Sequence, residues 1–288
     1  MSKITVAIVV STLLFLRTGC SPSSSTASMG SHEGHQMDGM SSNSPEMNHF
    51  GSSMPTETTT HTKLTLPKQV TTDNLTPLTI TVQNHQGQTI KQFEPFQEKL
   101  MHLIIVSNDL QFFSHLHPVF RGDGQFVVEA KFPYAGSYTL FSDYKPKGES
   151  EQVSVLSLNV KGKSAPASVA DMRRNKTFSD TQVSLLFNKS EIKAGEEIEV
   201  QFDLKQAADK QPVTNLQPYL GKRGHLVILK QSSPLTRASY IHAHATKNSP
   251  TGKVSFVTSF PKSGRYKLWG QFNRGGEIVV ADFWVDVQ

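Results

Sequence analysis

Apolar and polar residues alternate with a period of two over many short stretches of this chain. The clearest are Leu78-Thr79-Ile80-Thr81-Val82, Phe126-Val127-Val128-Glu129-Ala130, Tyr138-Thr139-Leu140-Phe141 and Val153-Ser154-Val155-Leu156-Ser157-Leu158. Side chains on a strand point alternately to opposite faces, so this pattern predicts strands with one face in a core. Turn residues separate the runs: Gly122-Asp123-Gly124, Ala135-Gly136 and Pro146-Lys147-Gly148. A second series begins at Val183 and ends with Ile278-Val279-Val280-Ala281-Asp282-Phe283-Trp284-Val285-Asp286-Val287. Neither series carries a helical period, and the fold class predicted is all-β.

The two series are copies of one another. Phe93-Glu94-Pro95-Phe96 answers Leu216-Gln217-Pro218-Tyr219, and Met101-His102-Leu103-Ile104-Ile105 answers Gly224-His225-Leu226-Val227-Ile228. His115-Leu116-His117 answers His242-Ala243-His244, and the run from Phe132 to Phe141 answers the run from Phe260 to Trp269. Matches kept in one order over that length mark an internal duplication. Each copy holds about 100 residues of short strands and frequent turns, the pattern of an immunoglobulin-like or cupredoxin-like β-sandwich. The sequence does not separate these two topologies. The pattern predicts sandwiches over 62–161 and 181–288, joined by a charged linker over 162–180. Because that linker holds charges rather than core residues, the two copies are expected to fold separately.

The start of the chain has a different character. Lys3 precedes an apolar run from Ile4 to Leu16, shorter than the roughly 20 residues a membrane-spanning helix needs. Small residues and Cys20 follow, so residues 1–19 read as an export signal. The segment Leu16-Arg17-Thr18-Gly19-Cys20 resembles a bacterial lipobox, in which the cysteine becomes the lipidated first residue. Arg17 stands where that pattern usually has an aliphatic residue, with Leu16 one place further out. The expected location is therefore the cell envelope, outside the cytoplasm, with the membrane as partner through a lipid on Cys20. Residues 20–61 are rich in Ser, Thr and Gly with almost no branched aliphatics, and are expected to form a disordered stalk.

Composition removes several function classes. The formal net charge of +5 falls by two once Lys3 and Arg17 are cleaved, too mild and too dispersed for nucleic acid. Cys20 is the only cysteine, which excludes an internal disulfide and thiolate metal ligands in the sandwiches, and with them a blue-copper site. No nucleophile elbow, phosphate loop, dinucleotide fingerprint or zincin helix motif is present, and no enzyme is expected. Asp143 has no acidic counterpart in the second copy, where Gln271 stands.

The histidines carry the candidate chemistry. Six of the eleven fall at matching positions in the two copies: His102, His115 and His117, and His225, His242 and His244. Within each His-x-His pair the i, i+2 spacing puts both imidazoles on one face of a strand, about 7 Å apart at the backbone. If the strand that opens with His102 or His225 lies alongside, a third ring nitrogen completes a site suited to zinc or copper(II). Proton competition should weaken binding as pH drops through about 6.5. A duplicated fold also repeats its structural residues, so core histidines bonded to backbone carbonyls are the alternative. The stalk offers a second set. Met29, Met37, Met40, Met47 and Met54 are five of the chain's eight methionines, with His32, His35 and His49 among them. Thioethers with imidazoles select copper(I) or silver(I).

Both copies resemble a group of exported bacterial heavy-metal-associated, copper-handling lipoproteins. The likeness rests on Pro218-Tyr219-Leu220-Gly221 and Gly224-His225-Leu226-Val227 in the second copy and on His115-Leu116-His117-Pro118 in the first. Ala245 replaces that proline in the second copy. The resemblance implies copper or zinc buffering, storage or delivery, and other metal-handling envelope proteins as partners. The alternative function is a structural or protein-interaction ectodomain whose histidines serve the fold.

Overall fold

A computed structural model describes residues 58–246 and 249–288, and for His242 and His244 the backbone alone. The export signal, Cys20 and the stalk residues Met29, His32, His35, Met37, Met40, Met47, His49 and Met54 lie outside the described residues.

The first copy contains β1 (Thr60–Thr65), β2 (Leu75–Asn84), β3 (Met101–Ser107), β4 (Phe113–Leu116), β5 (Val119–Gly122), β6 (Gln125–Lys131), β7 (Gly136–Tyr144) and β8 (Gln152–Val160). They form two antiparallel sheets, β1-β2-β6-β5 and β4-β3-β7-β8. The second copy contains β9 (Asn175–Phe178), β10 (Thr181–Phe187), β11 (Glu197–Gln206), β12 (Leu216–Gln217), β13 (His225–Lys230), β14 (Tyr240–His244), β15 (Lys253–Ser259), β16 (Gly264–Arg274) and β17 (Glu277–Val287). Its sheets run β15-β11-β10-β9 and β12-β16-β13-β14, with β17 beside β16. No α-helix occurs among the described residues. The protein is an all-β chain of two duplicated sandwiches, as the alternation predicts.

Each copy has a private core between its two sheets. Leu78, Ile80, Val82 and Phe126 meet Leu103, Ile105 and Leu140 in the first. Val200, Phe202, Val254 and Phe256 meet Leu226, Ile228, Leu268 and Phe283 in the second. The recurrent glycines serve the turns that precede β7 and β16: Gly136 and Gly264 have φ of 138° and 128°, backbone that favours glycine. Each copy also carries a tyrosine corner, as immunoglobulin-like sandwiches do. Tyr138 Oη donates to the carbonyl of Tyr134 at 2.7 Å and Tyr266 Oη to that of Lys262 at 2.6 Å.

A third core joins the copies, which the expectation of separate units did not include. Ile104, Val106, Leu110, Phe141 and Val153 of the first pack with Val227, Leu229, Leu235, Tyr240, Trp269 and Trp284 of the second. β3 and β13 are buried on both faces, so residues alternate between a private core and this shared one. The contacts recur with the copies exchanged. Phe113 stacks on Trp269 at 4.9 Å between ring centroids, and the residues at the matching positions, Tyr240 and Phe141, stack at 5.0 Å. His102 and its counterpart His225 stack on each other at 6.0 Å. The joint is thus self-complementary, as in a two-fold dimer. The stretch read as a linker also holds β9, which adds to β10 at the edge of the second copy. Its charged Asn175-Lys176 start disguises it, because the Lys176 ammonium lies over the Phe283 ring, 5.2 Å from its centroid, and donates to the Asp282 carbonyl at 3.1 Å.

Candidate metal centre

β3 enters the joint with His102 fully buried, and β4 runs antiparallel beside it with His115 opposite Ile104. His117 follows immediately after β4. The i, i+2 spacing brings the His115 and His117 ring centroids to 4.7 Å, and His102 lies 5.2 and 5.1 Å from them. One nitrogen from each of the three rings falls within a mutual 4.8 Å.

Hydrogen bonds fix what each nitrogen can do. His102 Nε2 lies 3.1 Å from the carbonyl oxygen of Phe96, which only accepts, so that nitrogen carries a proton. His102 Nδ1 then faces His115 Nε2 at 3.0 Å. On its other side, His115 Nδ1 meets the Gln271 side-chain oxygen at 3.0 Å, while the Gln271 amide donates to His225 Nδ1 at 3.1 Å. With the amide in this orientation, His102 Nδ1 and His115 Nε2 both point lone pairs at one another in neutral rings. In that orientation a shared proton or a metal ion would fit between them, whereas the opposite amide orientation lets His115 Nε2–H donate to His102 Nδ1. A tetrahedral ion at about 2.0–2.1 Å from each ligand holds its nitrogens about 3.3–3.4 Å apart, so the pair need open only by a few tenths of an ångström.

His117 supplies the third nitrogen. Its Nε2 is buried and has no hydrogen-bond partner among the described residues. Burial, together with His102 and Lys99 nearby, pushes its pKa down to about 4. The ring is therefore a neutral imidazole at physiological pH, in the form that could ligate a metal, and at His117 proton competition would begin well below the 6.5 of a free histidine. Ring nitrogens bonded outward to carbonyl oxygens, with lone pairs turned inward, match the outer-shell arrangement usual around metal-bound histidine.

The second copy repeats that backbone register, with His242 opposite Val227 as His115 is opposite Ile104. His225 is buried and its ring lies 4.7 Å from that of His115, so it joins the first copy's cluster across the joint. β14 pairs with β13, placing His244 opposite His225 and His242 opposite Val227 in the backbone register. The side chains of His242 and His244 lie outside the described set. Sequence reasoning missed Gln271, which links His115 to His225. The available signal was its place at the position of Asp143, opposite His225 as Asp143 is opposite His102. Asp143 is itself buried and accepts from Tyr240 Oη at 3.4 Å; burial, then Asp143, hold that hydroxyl's pKa well above the ordinary tyrosine value. A second histidine pair, His61 and His85, stacks at 6.2 Å on the surface near β1. A cavity of about 560 Å³, lined by Asp171, Lys176, Lys267 and Trp284 among others, contains none of the histidines.

The fold and site therefore define a duplicated β-sandwich protein with a three-histidine cluster at the joint of its copies. The chain belongs to the DUF8832 family, a domain of unknown function that it matches twice, over residues 57–162 and 176–288. No curated protein matches it. Among solved structures it is similar to the Escherichia coli adhesin FdeC, at 15% identity and a TM-score of 0.27 over 80% of this chain and 65% of that one. It is also similar to the Yersinia pseudotuberculosis adhesin InvE, at 8% identity and 0.25 over 78% and 59%. A third is a Salmonella alpha-2-macroglobulin mutant, at 8% identity and 0.28 over 80% and 14%. The chain spans less than two thirds of the length of each.

Proposed function

We propose that this chain is a lipid-anchored envelope protein that binds copper or zinc for buffering, storage or delivery, in a binding rather than a catalytic role. The observation that carries the reading is the triad of His102, His115 and His117. Three ring nitrogens converge within 4.8 Å, and the one contributed by His117 comes from a ring whose buried Nε2 has no hydrogen-bond partner among the described residues. A buried nitrogen without a hydrogen bond costs about 1–3 kcal/mol, a cost a bound ion would offset. The envelope location rests on the export signal and Cys20, and capture of copper(I) or silver(I) on the Met/His-rich stalk from Met29 to Met54. Other metal-handling envelope proteins are the partners this role implies. The likeness to heavy-metal-associated lipoproteins, carried by the His-Leu-Val and His-x-His-Pro motifs, agrees with that role.

One observation favours a structural reading. Turning the Gln271 amide over would put Phe96, His102, His115, Gln271 and His225 into an unbroken donor-to-acceptor chain that needs no cation. That chain engages His102, His115, Gln271 and His225 and does not include His117. Zinc titration of the full chain, beside a His115→Ala/His117→Ala variant, separates the readings. The metal reading predicts loss of one tight site per chain in the variant. Unchanged stoichiometry and affinity would make the histidines structural.

A further inference from the structure

The triad belongs to the first copy by sequence, yet its polarity is set from the second. Gln271 lies on β16, is 1% exposed, and reaches across the joint to His115 Nδ1 at 3.0 Å. It holds its own copy's His225 with the other end of the same amide. His225 in turn lies 4.7 Å from the His115 ring and stacks on His102. The apolar part of the joint begins directly beside these groups, since Ile104 and Val227 are two residues along from His102 and His225 on the same strand faces.

We propose that the metal site is a joint site of the two copies: Gln271 is a positioning residue that presents the lone pair of His115 Nε2 to the ion, and occupancy of the triad and closure of the joint are one coupled equilibrium. The proposal rests on the metal reading given above. Its chemistry is that of an outer-shell acceptor. A carbonyl oxygen that takes the proton of Nδ1 leaves Nε2 deprotonated and more basic, and fixes the plane of the ring toward the ion. An amide can do this in only one of its two orientations. Metal binding therefore selects the orientation in which the oxygen faces His115, and the amide N–H then must find His225. The bond from His115 Nδ1 to the Gln271 oxygen that the ion favours runs from one copy to the other, which ties the sandwiches together at the polar end of their shared core. By thermodynamic reciprocity, whatever loosens the joint must weaken metal binding by the same factor.

Two substitutions test this in the full chain, with zinc(II) as the probe. Both tryptophans, Trp269 and Trp284, lie in the shared core on the second copy, so their fluorescence reports the joint during urea unfolding. In wild type, zinc should raise the tryptophan-reported midpoint. Gln271→Met keeps the volume and removes both hydrogen bonds. It should weaken zinc affinity about 10- to 100-fold and reduce the zinc-dependent rise in midpoint at a given zinc concentration. Gln271→Glu keeps an acceptor on His115 and should bind zinc at least as tightly as wild type, with His225 turning its Nδ1–H toward the carboxylate. A purely structural glutamine would show the opposite order, because a buried carboxylate is the more disruptive replacement. Wild-type affinity in Gln271→Met, or a tenfold loss in folded Gln271→Glu, overturns the proposal while leaving the metal reading standing. Absence of zinc binding in the wild-type triad overturns both.

Discussion

Phe141→Ala is the sharpest test of the joint. Phe141 belongs to the first copy, is fully buried, and faces the second copy, where its ring stacks on Tyr240 at 5.0 Å with 19° between planes. Its neighbours in the cluster include Val227, Leu229 and Trp269, so truncation opens a cavity between the copies rather than inside either private core. A buried phenylalanine cut to alanine costs about 3–5 kcal/mol, of which the aromatic pair accounts for about 0.5–1.5. At a urea slope of about 2–3 kcal/mol per molar, that is a midpoint lowered by about 1–2 M. The assay is urea unfolding of the full chain followed by tryptophan fluorescence, which reads the second copy and its face of the joint, beside far-ultraviolet circular dichroism, which reads both copies. Coupled copies predict that a substitution in the first lowers the transition seen by tryptophans of the second. If the tryptophan midpoint stays at the wild-type value while circular dichroism shows the first copy unfolding earlier, the copies are energetically separate and the shared core holds nothing together.

Two further expectations follow from buried charge. Because the His117 pKa is held down to about 4 by burial, the unfolded chain binds a proton there that the folded chain does not between about 6.5 and 4, so metal-free stability falls as pH drops through that window and levels off below it. Allowing for partial exposure, the loss is about 1–3 kcal/mol, and His117→Gln should remove that component of the pH profile measured by urea unfolding. Lys267 is nearly buried between Trp269 and Trp284 and pairs with Asp282 at 2.5 Å. Asp282→Ala strands the ammonium and should cost about 2–4 kcal/mol, whereas Lys267→Met should be neutral or stabilising; equal losses in thermal unfolding of the two variants would contradict this.

The strands and the private cores were legible because one-sided burial writes itself as alternation, and Ile198, Val200, Phe202 and Leu204 on β11 show it as plainly as Leu78, Ile80 and Val82 on β2. The joint was hidden for a related reason. His102 to Val106 and His225 to Leu229 are unbroken apolar runs after the histidine, which is what two-sided burial looks like, but a continuous run does not say what covers its second face. The same ambiguity concealed the proximity of His225 to the first triad, since spacing along one copy carries no information about the partner across an interface. Gln271 was passed over because a lone glutamine in a strand has little chemical signature until its partners are in place, and only its alignment with Asp143 marked it. β9 was missed because its polar side chains sit at a sheet edge, where lysine is a usual guard against further pairing.

The most direct test of the central claim is anomalous diffraction at the zinc edge from crystals of the zinc-loaded chain. The account predicts a peak about 2.0–2.1 Å from His102 Nδ1, His115 Nε2 and a ring nitrogen of His117, with the Gln271 oxygen still on His115 Nδ1. Zinc found only elsewhere on the chain, with His102 and His115 still bonded to each other, would contradict it.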